Sequence, residues 1–459
     1  MSERPLLDPE LPYAMGPRIA AALADPQLLR FVHDATTAKD AARKQVCAEA
    51  FGARYEALKA QAAARRQATL DDLDRHLGEF VRKARAAGVQ IHFAADAAAA
   101  RAIVLGLAQR IGAKLCVKAK SMATEEIQLL PALEAAGIET LETDLGEFIV
   151  QIDHDAPSHI VMPMIHKDRA AAARALQRAT GAEYTEDPGR LTRIAREHMR
   201  AKYRRADLGI SGANFLVAET GSLVLCTNEG NADFCVAGPR VHVAVAGIEK
   251  VLEKLADLPL FVRLLARSAT AQPQTVYTTT ITGPRRPGEH DGPEEVHIVL
   301  LDNGRRELLR PATRELLRCI RCGACLNACP VYRKVGGGHA YGAVYSGPIG
   351  AVLMPGFRGV ANYPDLPQAS SLCGACKEAC PVGIDIPAHL IRLRGELQRS
   401  VLPLRLAAWV LRRPWWFRWA LHGARLAVRV LPRLGAWARE REFPRAPRED
   451  FRTWWRSRR

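Results

Sequence analysis

No apolar run in this 459-residue chain reaches the roughly 20 positions that a membrane-spanning helix needs. Crossing a bilayer is therefore not expected. The opening residues MSERPLLDPELPYAMG lack the apolar core and small-residue cleavage site of a secretory signal, which favours a cytoplasmic protein. No G-x-G-x-x-G follows a strand-like segment, so a dinucleotide-binding Rossmann site is not supported. The nearest glycine cluster, VGGGHAYG at 335–342, follows a cysteine motif and reads as a loop. Tryptophan is missing from the first 408 residues, and lysine from residue 391 onward. Disorder is not the expectation for the whole, because 48% of the residues are hydrophobic.

The formal net charge of +16 is concentrated at one end. Residues 391–459 hold eighteen arginines against five acids, so most of the excess belongs to this tail. All seven tryptophans, Trp409, Trp415, Trp416, Trp419, Trp437, Trp454 and Trp455, lie there too. Arg405, Arg412, Arg413 and Arg418 interrupt its apolar segments. Arg and Trp together suit an anionic membrane surface or a membrane redox partner, and equally a soluble protein partner. No recognised nucleic-acid motif accompanies them, and nucleic acid is not expected.

The pattern implies an α/β + α protein in four parts. Residues 1–88 read as an N-terminal helical segment packed on the α/β domain. Residues 89–303 alternate short apolar strands (VQIHFA, KLCVKAK, IETLETD, SHIVMPMIH, VHVAVAG, EEVHIVLLDN) with helices, as in a parallel sheet covered on both faces. Residues 304–395 form a cysteine-rich module in which PATRELLRC and IPAHLIRLRGEL read as helices, and 396–459 are the basic tail.

Seven of the eleven cysteines fall between 319 and 380. Cys319, Cys322, Cys325 and Cys329 with Pro330 make C-x2-C-x2-C-x3-C-P, the run of two-cluster bacterial ferredoxins. A zinc clip needs only two cysteine pairs and has no use for a third closely spaced thiolate. Cys373, Cys376 and Cys380 with Pro381 repeat the last three-quarters of that motif, with Ser370 standing where its first cysteine belongs. Exchange of the fourth ligand would give cluster 1 to Cys319, Cys322, Cys325 and Cys380 as a [4Fe–4S] cluster. Cluster 2 would have Cys329, Cys373 and Cys376, one thiolate short. It is then a three-iron [3Fe–4S] cluster, a [4Fe–4S] cluster with a non-cysteine fourth ligand, or one completed by a distant cysteine. Electron transport is the function such a pair suggests. Cys47, Cys116, Cys226 and Cys235 lie outside the cluster, three of them among apolar or helix-forming neighbours where a cysteine is usually a small buried hydrophobe.

The segments VKAKSMATEEI, ETDLGEFIVQ, PSHIVMPMIHKDR, ANFLVAETGSLVLCTNEGNADF, VHVAVAGIEKVL and GPEEVHIVLLDNGR resemble the lactate-utilization domain. Followed by a ferredoxin-type module and basic tail, they resemble the lactate utilization protein B family. That resemblance implies a fold related to the CoA-transferase and ribose-phosphate-isomerase group. It also implies work on L-lactate with two partner proteins, one cysteine-rich and one a second lactate-utilization-domain protein.

Catalytic residues are not fixed by the resemblance. From the residues alone, Glu219 and Glu229 are candidates to bind or deprotonate a hydroxy acid, and Lys118, Lys120 or His242 to hold its carboxylate. The other reading is that these side chains close sheet turns. His154, His159 and His166 form a conceivable metal set, but fit separate loop and strand environments better. Iron–sulfur clusters take single electrons, so a two-electron oxidation also calls for a partner or another cofactor. A role without catalysis, as redox sensor or scaffold of a membrane-associated assembly, stands as the alternative.

Overall fold

The computed structural model describes residues 11–397, 402–430, 449 and 451–458. Residues up to Leu397 belong to one compact unit and those from Gln398 to a second.

The described residues of the first unit contain ten strands: β1 (Gln90–Ala94), β2 (Leu115–Lys118), β3 (Glu139–Glu142), β4 (Leu208–Ser211), β5 (Phe215–Val217), β6 (Ser222–Thr227), β7 (Val241–Gly247), β8 (Val251–Leu252), β9 (Tyr277–Ile281) and β10 (Glu295–Leu301). Six of them make a wholly parallel sheet in the order β1-β10-β7-β4-β2-β3. Its central strands are apolar at nearly every position because both faces are covered. On β7, Val241, Val243 and Val245 enter one core with Ala100, Val104 and Ala108 of the helix Ala97–Arg110. Ala244 and Ala246 enter the other, with Phe80, Phe148 and Leu176. Gly209 on β4 permits the closest approach, since a Cβ there would stand 1.8 Å from the Cys235 carbonyl oxygen of the helix Asn231–Ala237.

A second sheet, in the order β8-β5-β6-β9, is built on the antiparallel β5–β6 hairpin. Its Phe215, Val217 and Val224 share a core with the cysteine-bearing segment and the N-terminal helices. Those helices therefore do more than cover the α/β domain. In the helix Pro26–Phe51 the buried residues Leu28, Val32, Thr36, Asp40, Arg43, Cys47 and Phe51 recur every three or four positions, on one face. That face packs on the short helices Ala324–Ala328 and Pro330–Lys334 between and after the cysteines.

Two sequence expectations fail locally. SHIVMPMIH is irregular backbone rather than a strand. The His159 imidazole accepts from the Val161 and Met162 amides at 3.0 and 3.2 Å, and Pro163 has no amide to give a ladder. PATRELLRC forms one 3-10 turn, Arg314–Arg318, preceded by another at Arg306–Leu309, instead of an α-helix. Here Thr313 Oγ1 donates to the Leu308 carbonyl and breaks the α-helical pattern.

The second unit has helices Leu402–Leu411, Pro414–Val430 and Phe451–Arg456. Trp415 stacks on Trp416 at 4.4 Å and Arg413 lies over Trp409 at 4.9 Å, while Trp409, Trp415 and Trp419 stay exposed. Trp437 lies outside the described residues. No helix among the described residues is long and apolar enough to cross a membrane.

Candidate functional site

The two cysteine motifs fold as matching loops. Each places a left-handed glycine, Gly323 (φ 73°) or Gly374 (φ 86°), between the cysteines of a C-x2-C pair and opens a one-turn helix, Ala324–Ala328 or Ala375–Ala379. Glycine adopts that conformation without steric cost and turns the chain back on itself. The two short helices pack against each other, which brings the motifs together across the sequence between them. Backbone amides point at the sulfurs: Arg321 N to Cys319 Sγ at 3.4 Å, Tyr332 N to Cys329 Sγ at 3.5 Å and Ile384 N to Cys380 Sγ at 3.4 Å. Such donors favour thiolate over thiol and tune a bound cluster.

The seven cysteines fall into two neighbouring groups. Cys322 has Cys319 and Cys380 as charge neighbours, and Cys325 has Cys322, Cys319 and Cys380, with Cys376 next. Cys376 has Cys329 and Cys373. Six are buried and Cys373 is exposed. A cavity opens among Cys319, Cys322, Cys325 and Cys380, walled by Ile160, Ile349, Ile384 and Ile386. Four soft sulfur donors in an aliphatic pocket suit iron–sulfur chemistry and not a hard, oxygen-seeking cation.

Burial pushes Cys376 up to about 12 and Cys380 up to about 11, and raises Cys322, Cys325 and Cys329 as well. Metal capture must therefore expel protons from these sulfurs. Cations stand ready to balance the thiolates that result. Arg43 neighbours Cys322, Lys59 neighbours Cys380, and Arg66, Lys250 and Arg321 neighbour Cys319. Arg66 is 1% exposed and donates to the carbonyls of Val251 (2.7 Å), Glu249 (2.5 Å) and Leu317 (2.8 Å), tying its helix to β8 and to the start of the cysteine segment.

The remaining cysteines sit elsewhere. Cys47 is beside Arg43 and Tyr55, Cys116 beside Cys235 in the sheet core, and Cys226 lines a larger cavity. Ser370 Oγ accepts from the Leu372 amide at 3.1 Å, closing the turn that leads into Cys373.

The larger cavity, of about 260 Å³, lies at the carboxyl ends of β2, β4 and β7, where the chain leaves β2 toward β3 on one side and β4 toward β7 on the other. This is where open parallel sheets bind ligands. Ile320 and Arg321 of the first cysteine loop form part of its wall, together with Lys120, Lys250 and Arg305. Within that wall Arg305 is fully buried, donating to both Glu126 oxygens at 2.8 Å and to Glu249 at 2.5 Å, while Arg321 meets Glu249 at 3.2 Å. Tyr345 donates its hydroxyl to Glu126 at 2.8 Å and lies under Arg321. The Arg305 and Arg321 guanidinium groups hold Glu249 down at about 2 against the effect of burial.

Of the candidates from sequence, Glu229 and Lys120 line this cavity. Burial and then Asp144 raise Glu229, and Lys120 donates to the Val161 carbonyl at 2.6 Å. Glu219 does not: it is exposed and its carboxylate accepts from the Leu255 amide at 2.9 Å. His242 is buried near the amino end of β7, bonded to Ser211 Oγ at 2.8 Å, and burial pulls it down to about 4. Lys118 is spent on Glu142 and Glu125 at 2.7 and 3.0 Å.

His154, His159 and His166 do not converge. Asp155 instead gathers His166 (2.9 Å), His339 (3.2 Å) and the Lys167 ammonium (2.5 Å). With a cation already on its carboxylate, the group reads as a latch between the 153–167 segment and the glycine-rich loop. Sequence reasoning missed Lys250, Arg305 and Arg321. The visible signal for Arg321 was its place inside CIRC; nothing local marked the other two.

Residues 77–301 match the LUD domain family and residues 315–384 the 4Fe-4S dicluster domain family, a span that includes all seven clustered cysteines. Lactate utilization protein B of Geobacillus kaustophilus is 43% identical over 412 residues, 86% of each chain. The protein of that name from Geobacillus sp. (strain WCH70) is 42% identical over 434 residues, 90% of this chain and 91% of the other. The uncharacterized electron transport protein YkgF of Escherichia coli K12 is 39% identical over 457 residues, 96% of this chain and 95% of the other. With its parallel sheet and cysteine loops in this order, and relatives of that name about 42% identical over most of both chains, the chain belongs to the lactate utilization protein B family.

Proposed function

We propose that this chain is the iron–sulfur electron-transfer component of an L-lactate-oxidising complex. Cys319, Cys322, Cys325 and Cys380 hold a [4Fe–4S] cluster, and Cys329, Cys373 and Cys376 hold a second. The second has a non-cysteine fourth ligand or is [3Fe–4S]. The observation that carries this is the folding of seven motif cysteines into two adjacent groups, one inside an aliphatic pocket. When bound, the clusters accept and pass on single electrons.

The chain's own residues prepare that chemistry. Ile160, Ile349 and Ile384 keep water from the first group, the amides of Arg321 and Ile384 support its sulfurs, and Arg43, Lys59 and Arg66 offset its negative charge. The exposed Cys373 turns the second group toward solvent, the natural side for exchange with a partner. The partners are a cysteine-rich protein and a second lactate-utilization-domain protein. In this reading the α/β domain is of the CoA-transferase and ribose-phosphate-isomerase kind, the cysteine module is a helical ferredoxin, and the protein is cytoplasmic. Its Arg- and Trp-rich tail rests on the inner membrane surface.

The test is anaerobic reconstitution of the three-protein complex. L-Lactate should bleach the visible cluster absorbance. If it does not while dithionite does, the oxidase role fails.

A further inference from the structure

Lys250 makes no hydrogen bond or ion pair with any described residue, although it lines the large cavity and its neighbours are charged. Lys250 is half-buried in the cavity wall, and even partial desolvation of an unpartnered ammonium carries a cost that proteins ordinarily offset by pairing. The nearby carboxylates are committed. Glu249 is shared by Arg305 and Arg321, and Glu126 accepts from Arg305, Asn303 and Tyr345. Arg321 adds a second unsatisfied donor, since its buried Nε has no hydrogen-bond partner. Both residues lie at the end of the cavity nearest Cys319, whereas the cavity's two acids, Asp144 and Glu229, neighbour each other and Lys120. The cavity is thus polarised, positive beside the cysteine loop and acidic away from it.

We propose that this cavity is an anion-binding site in which Lys250, supported by Arg321, holds the carboxylate of a small organic acid against the Ile320–Arg321 segment of the first cysteine loop. The volume of about 260 Å³ has room for a short acid together with waters. The choice of 2-hydroxy and 2-oxo monocarboxylates rests on the lactate-oxidation reading above; the anion site rests on the cavity alone. Glu229 and the Asn228 loop at the other end provide polar groups for a hydroxyl or carbonyl. A ligand seated this way lies directly beside the backbone that carries Cys319 and Cys322.

The experiment is calorimetric titration of the cluster-loaded full chain, at fixed ionic strength, with L-lactate, pyruvate, lactamide and inorganic phosphate. L-Lactate and pyruvate should saturate a single site. Lactamide, similar in shape but uncharged, should bind at least tenfold more weakly, the loss expected for a hydrogen bond to a charged group. Lys250→Met should weaken both acids at least tenfold, and Lys250→Arg should restore most of the affinity. Both variants should keep the wild-type melting temperature and cluster absorbance. No saturable binding of either acid, lactamide equal to lactate, phosphate tighter than both acids, or unchanged affinity in Lys250→Met would each overturn the assignment. Failure here is distinct from failure of the oxidase role. Lactate that binds through Lys250 yet never reduces the clusters removes that role and leaves the site, and reduction by lactate with Lys250→Met binding normally does the reverse.

Discussion

Replacing Arg305 by Met should destabilise the first unit severely without touching a cysteine. Arg305 is 1% exposed, Glu126 3% and Glu249 0%, and the guanidinium is the main counter-charge for both carboxylates. Its removal leaves Glu126 with only the Asn303 amide and Tyr345 hydroxyl, and Glu249 with Arg321 alone among its side-chain partners. Removing one member of a buried ion pair costs about 3–5 kcal/mol. That is about a fifth or more of a typical total stability of roughly 5–15 kcal/mol. At about 2–4 °C per kcal/mol for large domains, the melting temperature should fall by about 10 °C. Circular dichroism of the cluster-loaded protein reads this directly. A double-mutant cycle sharpens it: Glu126→Gln removes the charge that Arg305 compensates, so the double variant should lose less than the sum of the singles. A melting temperature for Arg305→Met within 2 °C of wild type, or additive losses in the cycle, would refute the role given to this network.

His242 is held at about 4, below its ordinary 6.5. The unfolded chain therefore takes up this proton first, and stability should drain away as pH falls from about 6.5 to about 4, by up to roughly 3 kcal/mol. His242→Asn should flatten that part of the stability profile, and an unchanged slope would count against it. Gly209→Ala should abolish soluble expression, because its methyl would overlap the Cys235 carbonyl; a well-folded Gly209→Ala protein would show that the helix Asn231–Ala237 can shift. Cys380→Ala and Cys376→Ala should each lower bound iron to about half while removing different paramagnetic signals, and identical spectra would contradict the division of cysteines. A chain ending at Leu397 should keep its iron and melting temperature but lose co-sedimentation with anionic vesicles, and vesicle binding by the shortened chain would move the membrane contact out of the tail.

Much of the parallel sheet was legible because β7 and β10 are apolar at most positions, a signal that depends on neither turns nor partners. Motif spacing exposed the cysteines for the same reason: it is local. SHIVMPMIH misled because its apolar residues suit a strand, while the imidazole that captures its amides belongs to the segment itself and leaves no mark on periodicity. PATRELLRC misled through good helix formers whose pattern a single threonine hydroxyl overrides. The cavity was half legible. Glu229 and Lys120 stood out as charges near strand ends, but so did Glu219, and only the fold separates a turn-capping carboxylate from one facing a ligand. Lys250 and Arg305 follow β7 and β10 in sequence and reach one cavity only because those strands are neighbours in the sheet.

The wrapping of the N-terminal helices around the cysteine loops has a consequence for manufacture. The helix Pro26–Phe51, which sets Arg43 beside Cys322, is synthesised long before Cys380, the last member of the first group. At roughly 5–20 residues per second, the ribosome spends on the order of 20–60 s between them. Through that interval the amphipathic helix has no finished surface to cover, and a loading factor can meet the cysteines before the enclosure closes. The four cysteines of the first group are thus most open to iron after Cys380 emerges and before the early helices pack over them.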